Sequence, residues 1–295
     1  CQKGKGEVLN FAYQKVLQFP EVRRYGSHNI ILSIIDADGH VDPNVKEVIG
    51  GYFQNPKVGA VQTGVKIGNE KTNLLTRWQD YEFQVFCYIF QTARNQLGSV
   101  GLGGNSQFIR LSALNSLGSR PWNDCLTEDL DIGIRLMLKG WKNSYCPFTF
   151  VKQQGLPRLK SLLRQRTRWI QGHFTCWRYL GQLLQSKLNF FTKLDVAYYL
   201  LIPATVFWVV PANFLALFYF ISLLFKPALW QLILNMYGYK VFIFWYLLMF
   251  TTIPYFAYAY QRATRKSFWA SFLLAHLFVF IAFIWLFLAT KPFTA

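Results

Sequence analysis

The last hundred residues of this chain contain no carboxylate. All 14 Asp and Glu precede residue 196, and the six Lys and Arg beyond it are scattered through Leu, Phe, Ile, Trp and Tyr. A second soluble domain seldom tolerates such a lack, so the composition divides the chain into a polar part and a membrane part. Cysteine is scarce as well. Cys1, Cys87, Cys125, Cys146 and Cys176 are odd in number, scattered and without a CxxC, which excludes a disulfide framework and a zinc ribbon. The four histidines (His28, His40, His173, His276) lack metal-ligand spacing. There is no zinc-finger spacing, RNP-type sequence or basic heptad, so the net charge of +17 does not point to nucleic acid. Internal repeats and a signal peptide are also missing. The chain opens on Cys1-Gln2-Lys3 and is read as a piece of a longer protein.

What is present gives the charge another partner. The stretch from Lys152 to Lys193 is rich in Lys and Arg, holds no acid, and directly precedes the apolar tail. Juxtamembrane basic clusters suit anionic lipid headgroups, at about 1 kcal/mol per charge. The expected organisation is therefore an α/β core over 1–151, a basic interfacial helical segment over 152–195, and a membrane domain over 196–295. Three stretches of that tail are long and apolar enough to span a bilayer: 197–225, 239–260 and 268–290. The link Gln261-Arg262-Ala263-Thr264-Arg265-Lys266 carries three positive charges. By the positive-inside rule this makes an integral membrane protein with its α/β domain in the cytoplasm and residue 295 outside.

Within the polar part, Ile30-Ile31-Leu32-Ser33-Ile34-Ile35 reads as a strand buried on both faces. Further strands are expected near 58–62 and 107–109, a long helix over 72–96, and a short helix opening near Thr127 and closed by Gly140. Their alternation predicts an α/β fold with a mostly parallel sheet. From Pro157 to about Leu184 the period is helical again, with Leu159, Leu162, Leu163, Trp169, Ile170, Phe174 and Trp177 as an apolar stripe. That basic amphipathic helix suits a bilayer interface, or else packs on the soluble core.

Three short signatures carry chemistry. Asp36-Ala37-Asp38 directly follows the first strand, where ligands collect in open α/β sheets. Two carboxylates at i and i+2 suit Mg²⁺ or Mn²⁺, which also bind substrate phosphates; turn formation before Pro43 is the plainer explanation. Thr127-Glu128-Asp129 opens a helix, where carboxylates stay ionised and can accept a proton, or simply cap the first turn. Gln165, Arg168 and Trp169 fall at i, i+3 and i+4 and share a helical face. An amide, a guanidinium and an indole so aligned suit a sugar diphosphate, or headgroups and an interfacial anchor. Gly101-Leu102-Gly103-Gly104-Asn105-Ser106 places three glycines in four positions, as close backbone approach to a ligand requires, or a tight loop.

Taken in order, Asp-x-Asp, Thr-Glu-Asp and Gln-x-x-Arg-Trp resemble the membrane-embedded, inverting family-2 glycosyltransferases, the group of cellulose, hyaluronan and chitin synthases. The resemblance runs from Lys5-Gly6-Glu7-Val8-Leu9-Asn10 through the spans and implies a GT-A-like nucleotide-diphospho-sugar transferase domain. It implies Asp36 and Asp38 at the metal and diphosphate, Asp129 as general base, and Lys5 as a nucleotide-side contact. Gln165 and Arg168 then hold the diphosphate with Arg166 assisting. Trp169 stacks on the acceptor, Gly104, Asn105 and Ser106 border it, and Val61-Gln62-Thr63 lies near the donor. The family's first nucleotide-binding strand would precede Cys1. Cellulose synthases carry Phe-Phe-Cys-Gly-Ser where this chain has Leu102 to Ser106, and their Phe-x-Val-Thr segment is missing here.

The expected activity is transfer from a UDP-sugar, UDP-glucose first, to a growing β-linked polysaccharide at the cytoplasmic membrane face. Alternatives are a glycolipid synthase acting on a diacylglycerol or polyprenyl carrier, and a non-catalytic membrane scaffold. Expected partners are the UDP-sugar, a glycan or lipid acceptor and membrane lipids. Oligomeric state is not legible.

Overall fold

The structure, a computed structural model, describes residues 4–251 and 253–276, without the side chains of a minority of positions between 205 and 249. It forms two compact units, residues 1–201 and 202–295.

In the first unit β1 (Ile31–Ile34), β2 (His40–Val41), β3 (Val58–Ile67), β4 (Gln107–Arg110) and β5 (Lys142–Gln153) make one sheet in the order β1-β4-β3-β5-β2. Burial on both faces holds for the inner strands β3 and β4, whereas β1, expected to be buried on both, lies at the sheet edge, with Ser33 exposed and Ile35 just beyond it 40% exposed. Along β3, Ala60 joins a cluster with Ile109, Leu111, Ile132 and Leu136, while neighbouring Val61 joins Val45, Ile49 and Phe108 on the other side. Alternate side chains of a strand point to opposite faces, so both faces need a helical cover.

The mostly parallel sheet is corrected to a mixed one. β3 and β5 are parallel, but β4 runs antiparallel to both β1 and β3, and β2 antiparallel to β5. The reversal of β4 has a local cause. Gln107 pairs with both Ile34 and Gln62, so the glycine-rich loop delivers the chain to the end of the sheet where β1 stops. The next strand must then run back. The same reversal sets that loop beside Asp36.

Helices α1 (Lys5–Val16) and α2 (Pro20–Tyr25) precede the sheet, and α3 (Val45–Tyr52) covers one face. Asn10 fixes α1 by donating to Trp122 O (2.7 Å) and accepting from Trp122 N (3.0 Å). The expected long helix is α4 (Leu74–Val85), a π-helical segment (Phe86–Gln91) and α5 (Thr92–Leu97) in continuous succession. An Asn73–Thr76 capping box opens it, and Gly98 in the left-handed region (φ +75°) closes it. Then come α6 (Leu111–Asn115) and α7 (Glu128–Leu138), which opens beside Thr127 as expected.

The basic segment folds as α8 (Leu159–Cys176), a 3₁₀ turn (Trp177–Tyr179) and α9 (Leu180–Gln185). It packs on the α/β core: Leu162, Arg166, Ile170, Gly172 and Cys176 are buried, and Cys176, Tyr179 and Leu183 cluster with Leu130, Ile134 and Met137 of α7. A Cβ at Gly172 would collide with the Thr127 side chain, so glycine there lets α8 approach the start of α7.

Beyond it lie α10 (Phe190–Leu224), α11 (Pro227–Tyr237), α12 (Lys240–Phe250) and α13 (Ile253–Thr264). The expected span 197–225 falls on α10, many of whose side chains are outside those described. Among the described residues no helix is long and apolar enough to cross a membrane. The expected span 239–260 is not one helix but the two short ones α12 and α13. Pro254 stands in the first turn of α13, where its missing N–H is tolerated; in the interior of a single helix it would break the ladder. Most of the span 268–290 lies outside the described residues.

Candidate active site

Lys5 is the hub of the polar end of the site. Its Nζ donates to Asp36 Oδ1 (2.6 Å) and to Gly104 O (3.2 Å), and lies 3.3 Å from Glu128 Oε1. Asn10 makes this possible by locking α1 five residues farther on. Asp36 is held from its backbone too, since its N–H donates to Asn105 Oδ1 (3.1 Å). Asn105 Nδ2 in turn donates to Gln153 Oε1 (3.1 Å), and the next residue, Gln154, donates its N–H to Asp38 Oδ2 (3.1 Å). The two aspartates, the glycine loop and the end of β5 thus form one hydrogen-bonded rim.

The loop itself is built from below. Buried Gln62 accepts from Gly103 N (2.8 Å) and donates to Asn105 O (2.8 Å), while Thr63 Oγ1 donates to Ser106 Oγ (2.7 Å). Gly104 has φ +78°, and Ser106 is also left-handed at +56°. A Cβ on Gly104 would lie 2.9 Å from Asp129 Oδ2. This glycine therefore meets both requirements, conformational freedom and close approach.

Asp129 stands on the other side of Gly104. Its Oδ1 accepts from Leu130 N (2.8 Å), and its carboxyl faces a cavity of about 220 Å³. The residue as a whole is half-buried. Burial, reinforced by the neighbouring Glu128 charge, raises its pKa to about 7, although the Leu130 N–H and Lys5 pull the other way. A carboxyl poised there can take up a proton and release it near neutrality. The neighbouring motif position is different: Thr127 makes no side-chain cap, and its hydroxyl packs between Cys125 and Cys176.

Phe83, Phe86, Leu102, Leu130, Trp169, His173 and Tyr199 give the cavity a mainly apolar wall. Trp169 meets Phe83 edge-on (6.3 Å), and the Arg166 guanidinium lies 4.0 Å from the Trp169 ring. Arg166 is buried and ion-paired with Glu82. Burial lowers the His173 pKa and keeps its ring neutral; Nδ1 donates to Trp169 O (3.0 Å), leaving Nε2 an acceptor.

The expected site residues are thus distributed over two neighbouring regions. Lys5, Asp36, Gly104, Asn105 and Asp129 come together, with Asp38 on the rim and Ser106 beneath the loop. Of the helical signature, Arg166 and Trp169 line the cavity. Gln165 and Arg168 do not: Gln165 is half-buried, and Arg168 is exposed and has no hydrogen-bond partner among the described residues. The inward face is 166, 169 and 173, not 165, 168 and 169. Sequence reasoning missed Glu128 as a partner of Lys5 and Glu82 as the counter-ion of Arg166. No sequence signal pointed to Glu82, because the burial of Arg166 that demands an acid is visible only in the fold.

A divalent ion is implied by Asp36 and Asp38. Each engages one carboxylate oxygen with a donor (Lys5, the Gln154 N–H) and keeps the other. That donor set fits Mg²⁺ or Mn²⁺ held partly by substrate phosphate and water.

Over residues 31–291 the chain matches the family described as Glycosyl transferase family group 2. Among curated relatives, it is 34% identical over 177 residues to the beta-monoglucosyldiacylglycerol synthase of Synechocystis sp., covering 58% of this chain and 36% of that protein. It is 33% identical over 164 residues to glucomannan 4-beta-mannosyltransferase 7 of Arabidopsis thaliana, covering 53% of this chain and 28% of that one. The chain thus spans about a third of the length of the relatives it matches. Among solved structures, the mannosyltransferase PcManGT of Pyrobaculum calidifontis, in complex with GDP-Man and Mn²⁺, gives a TM-score of 0.43 at 17% identity, over 77% of this chain and 61% of that chain. With the family matched over nearly its whole length, the chain belongs to glycosyl transferase family group 2.

Proposed function

We propose that this chain is the catalytic part of an inverting hexosyltransferase that moves a sugar from a UDP-sugar to a hydroxyl of a lipid-linked acceptor. The carrying observation is the junction at Gly104: the Lys5–Asp36 rim meets it on one side, and the Asp129 carboxyl on the other. The diphosphate belongs on the rim, with Asp36 and Asp38 holding the divalent ion, which supplies charge neutralisation on the leaving diphosphate. Arg168, exposed in this structure, is assigned to the diphosphate on the family resemblance alone. The sugar then lies against Gly104, with its anomeric carbon toward Asp129.

Asp129 takes the proton of the acceptor hydroxyl. That oxygen attacks the anomeric carbon from the face opposite the diphosphate, the carbon–oxygen bond to UDP breaks, and the product is β-linked. Fixed donors around developing charge need no reorganisation, which is how such sites lower barriers. The acceptor occupies the cavity, and its aromatic and aliphatic lining favours an acceptor with an apolar body. Similarity to the Synechocystis diacylglycerol enzyme supports this choice. Polysaccharide elongation is the second reading, favoured by Trp169 in the cavity wall and by the Arabidopsis relative. The apolar tail 196–295 would hold the enzyme at the bilayer, with the α/β unit on the cytoplasmic side.

The test uses membranes containing the full-length protein, Mn²⁺ or Mg²⁺, and radiolabelled UDP-glucose. Label extracted into organic solvent supports the lipid acceptor. Label in glycosidase-sensitive polymer supports elongation, and label in neither defeats both.

A further inference from the structure

Two cysteines that the reaction does not use meet at the junction of α7 and α8. Cys125, half-buried, precedes Thr127-Glu128-Asp129, and Cys176, fully buried, is the last residue of α8. Their sulfurs lie within 4.8 Å of each other. Thr175 Oγ1 is 3.1 Å from Cys125 Sγ, and Thr127 Oγ1 is 3.8 Å from Cys125 Sγ and 3.9 Å from Cys176 Sγ. Asp131 completes a group of three candidate metal ligands, but it is fully committed. Arg135 (2.7 Å) and Arg178 (2.5 Å) neutralise it, and Tyr179 donates to it at 2.6 Å. A cation would have to displace two guanidinium groups, so the pair is a dithiol rather than a metal site.

We propose that Cys125 and Cys176 form a peroxide-sensitive dithiol whose oxidation to a disulfide switches the enzyme off. The Cys125 thiolate attacks one oxygen of hydrogen peroxide, the O–O bond breaks, and hydroxide leaves, giving a sulfenic acid. Cys176 then gives up its proton and attacks Cys125 Sγ, forming the S–S bond and releasing water. Two thiols and one peroxide become one disulfide and two waters, the sulfurs losing the two electrons that the peroxide gains.

The environment suits the first of these roles. Hydrogen bonding from Cys176, with further help from Thr175 and Thr127 against the opposing burial, holds Cys125 below the usual thiol range, so the more exposed sulfur is the nucleophile. The consequence follows from Thr127. Its side chain lies between the two sulfurs and against Gly172, where no slack remains. Drawing the sulfurs to bonding distance moves Thr127, and with it Asp129 two residues on.

The experiment treats membranes holding the full-length protein with hydrogen peroxide, alkylates remaining thiols, and digests without reduction for mass spectrometry. The expected result is a Cys125–Cys176 cross-linked peptide, lighter by two hydrogens than the two free peptides. Sugar transfer is lost in parallel and regained with dithiothreitol. C125S and C176A retain untreated activity and resist peroxide, whereas C87S remains sensitive; if C176A is not recovered folded, C125S decides. Recovery of both cysteines as alkylated thiols, or a Cys125 sulfinic acid without cross-link, overturns the proposal. So does C125S losing activity as fast as the parent. The cross-link is read without any transfer assay, so its outcome is separable from the proposed reaction.

Discussion

Asp129→Asn is the sharpest perturbation of the proposed reaction. The amide has the shape of the carboxyl and still accepts the Leu130 N–H that now fixes Oδ1 at 2.8 Å, so the first turn of α7 is preserved. What is lost is the ability to accept a proton. General-base contributions run at about 10²–10⁴ in rate, which is about 3–5 kcal/mol at 1.36 kcal/mol per tenfold. In the proposed arrangement donor binding is untouched, because the Lys5–Asp36 pair assigned to the nucleotide lies on the other side of Gly104. The assay pairs initial rates of label transfer with calorimetric titration of UDP and metal. A rate loss of at least a hundredfold with unchanged UDP affinity is expected. A loss of tenfold or less refutes the base role, and loss of UDP binding shows that Asp129 belongs to the donor rim.

The raised pKa of Asp129 adds two pH predictions. The base must be ionised, so transfer at subsaturating substrate rises with pH up to about 7 and then levels; Glu128→Gln removes the neighbouring charge and moves that rise to lower pH. For stability the sign is opposite. The folded state binds this proton more tightly than the unfolded chain, whose carboxyl titrates near 3.8, so the group's contribution falls as pH climbs from about 4 to about 7. Asp129→Asn is therefore expected to melt higher than the parent at pH 8 and no higher at pH 4. Gly104→Ala combines left-handed strain of about 1–2 kcal/mol with a Cβ placed against Asp129 Oδ2; the fold should survive by circular dichroism while kcat collapses. Glu82→Ala removes the carboxylate that pairs with the buried Arg166 guanidinium and should lower stability in a denaturant titration, with Glu82→Gln less damaging. Chelation with EDTA should abolish transfer, and Mn²⁺ or Mg²⁺ should restore it.

The parts legible in the sequence were those fixed by local pattern. The run before Asp36 was legible as a strand, though its place at the sheet edge, which leaves Ser33 and Ile35 exposed, was not; Gly140 marked the stop of α7. The sheet's direction was not legible, because the turn of β4 depends on Gln62 gripping the glycine loop 41 residues away. The inward face of α8 was not legible for a related reason. A helical wheel gives the spacing of Gln165, Arg168 and Trp169 but not the rotation of the helix. Rotation is set by Gly172 against Thr127 and by Glu82 drawing in Arg166, both long-range contacts. The break between α12 and α13 has its sequence correlate in Pro254, which is tolerated in the first turn of α13 and not in the interior of one continuous helix.

The most direct test of the account is to follow label from UDP-[¹⁴C]glucose in membranes containing the full-length protein, comparing parent with Asp129→Asn in the presence of Mn²⁺. The account predicts label in a β-glucosidase-sensitive lipid made by the parent and essentially none made by the variant. Equal label in both, or label in the parent only in α-linked product, would contradict it.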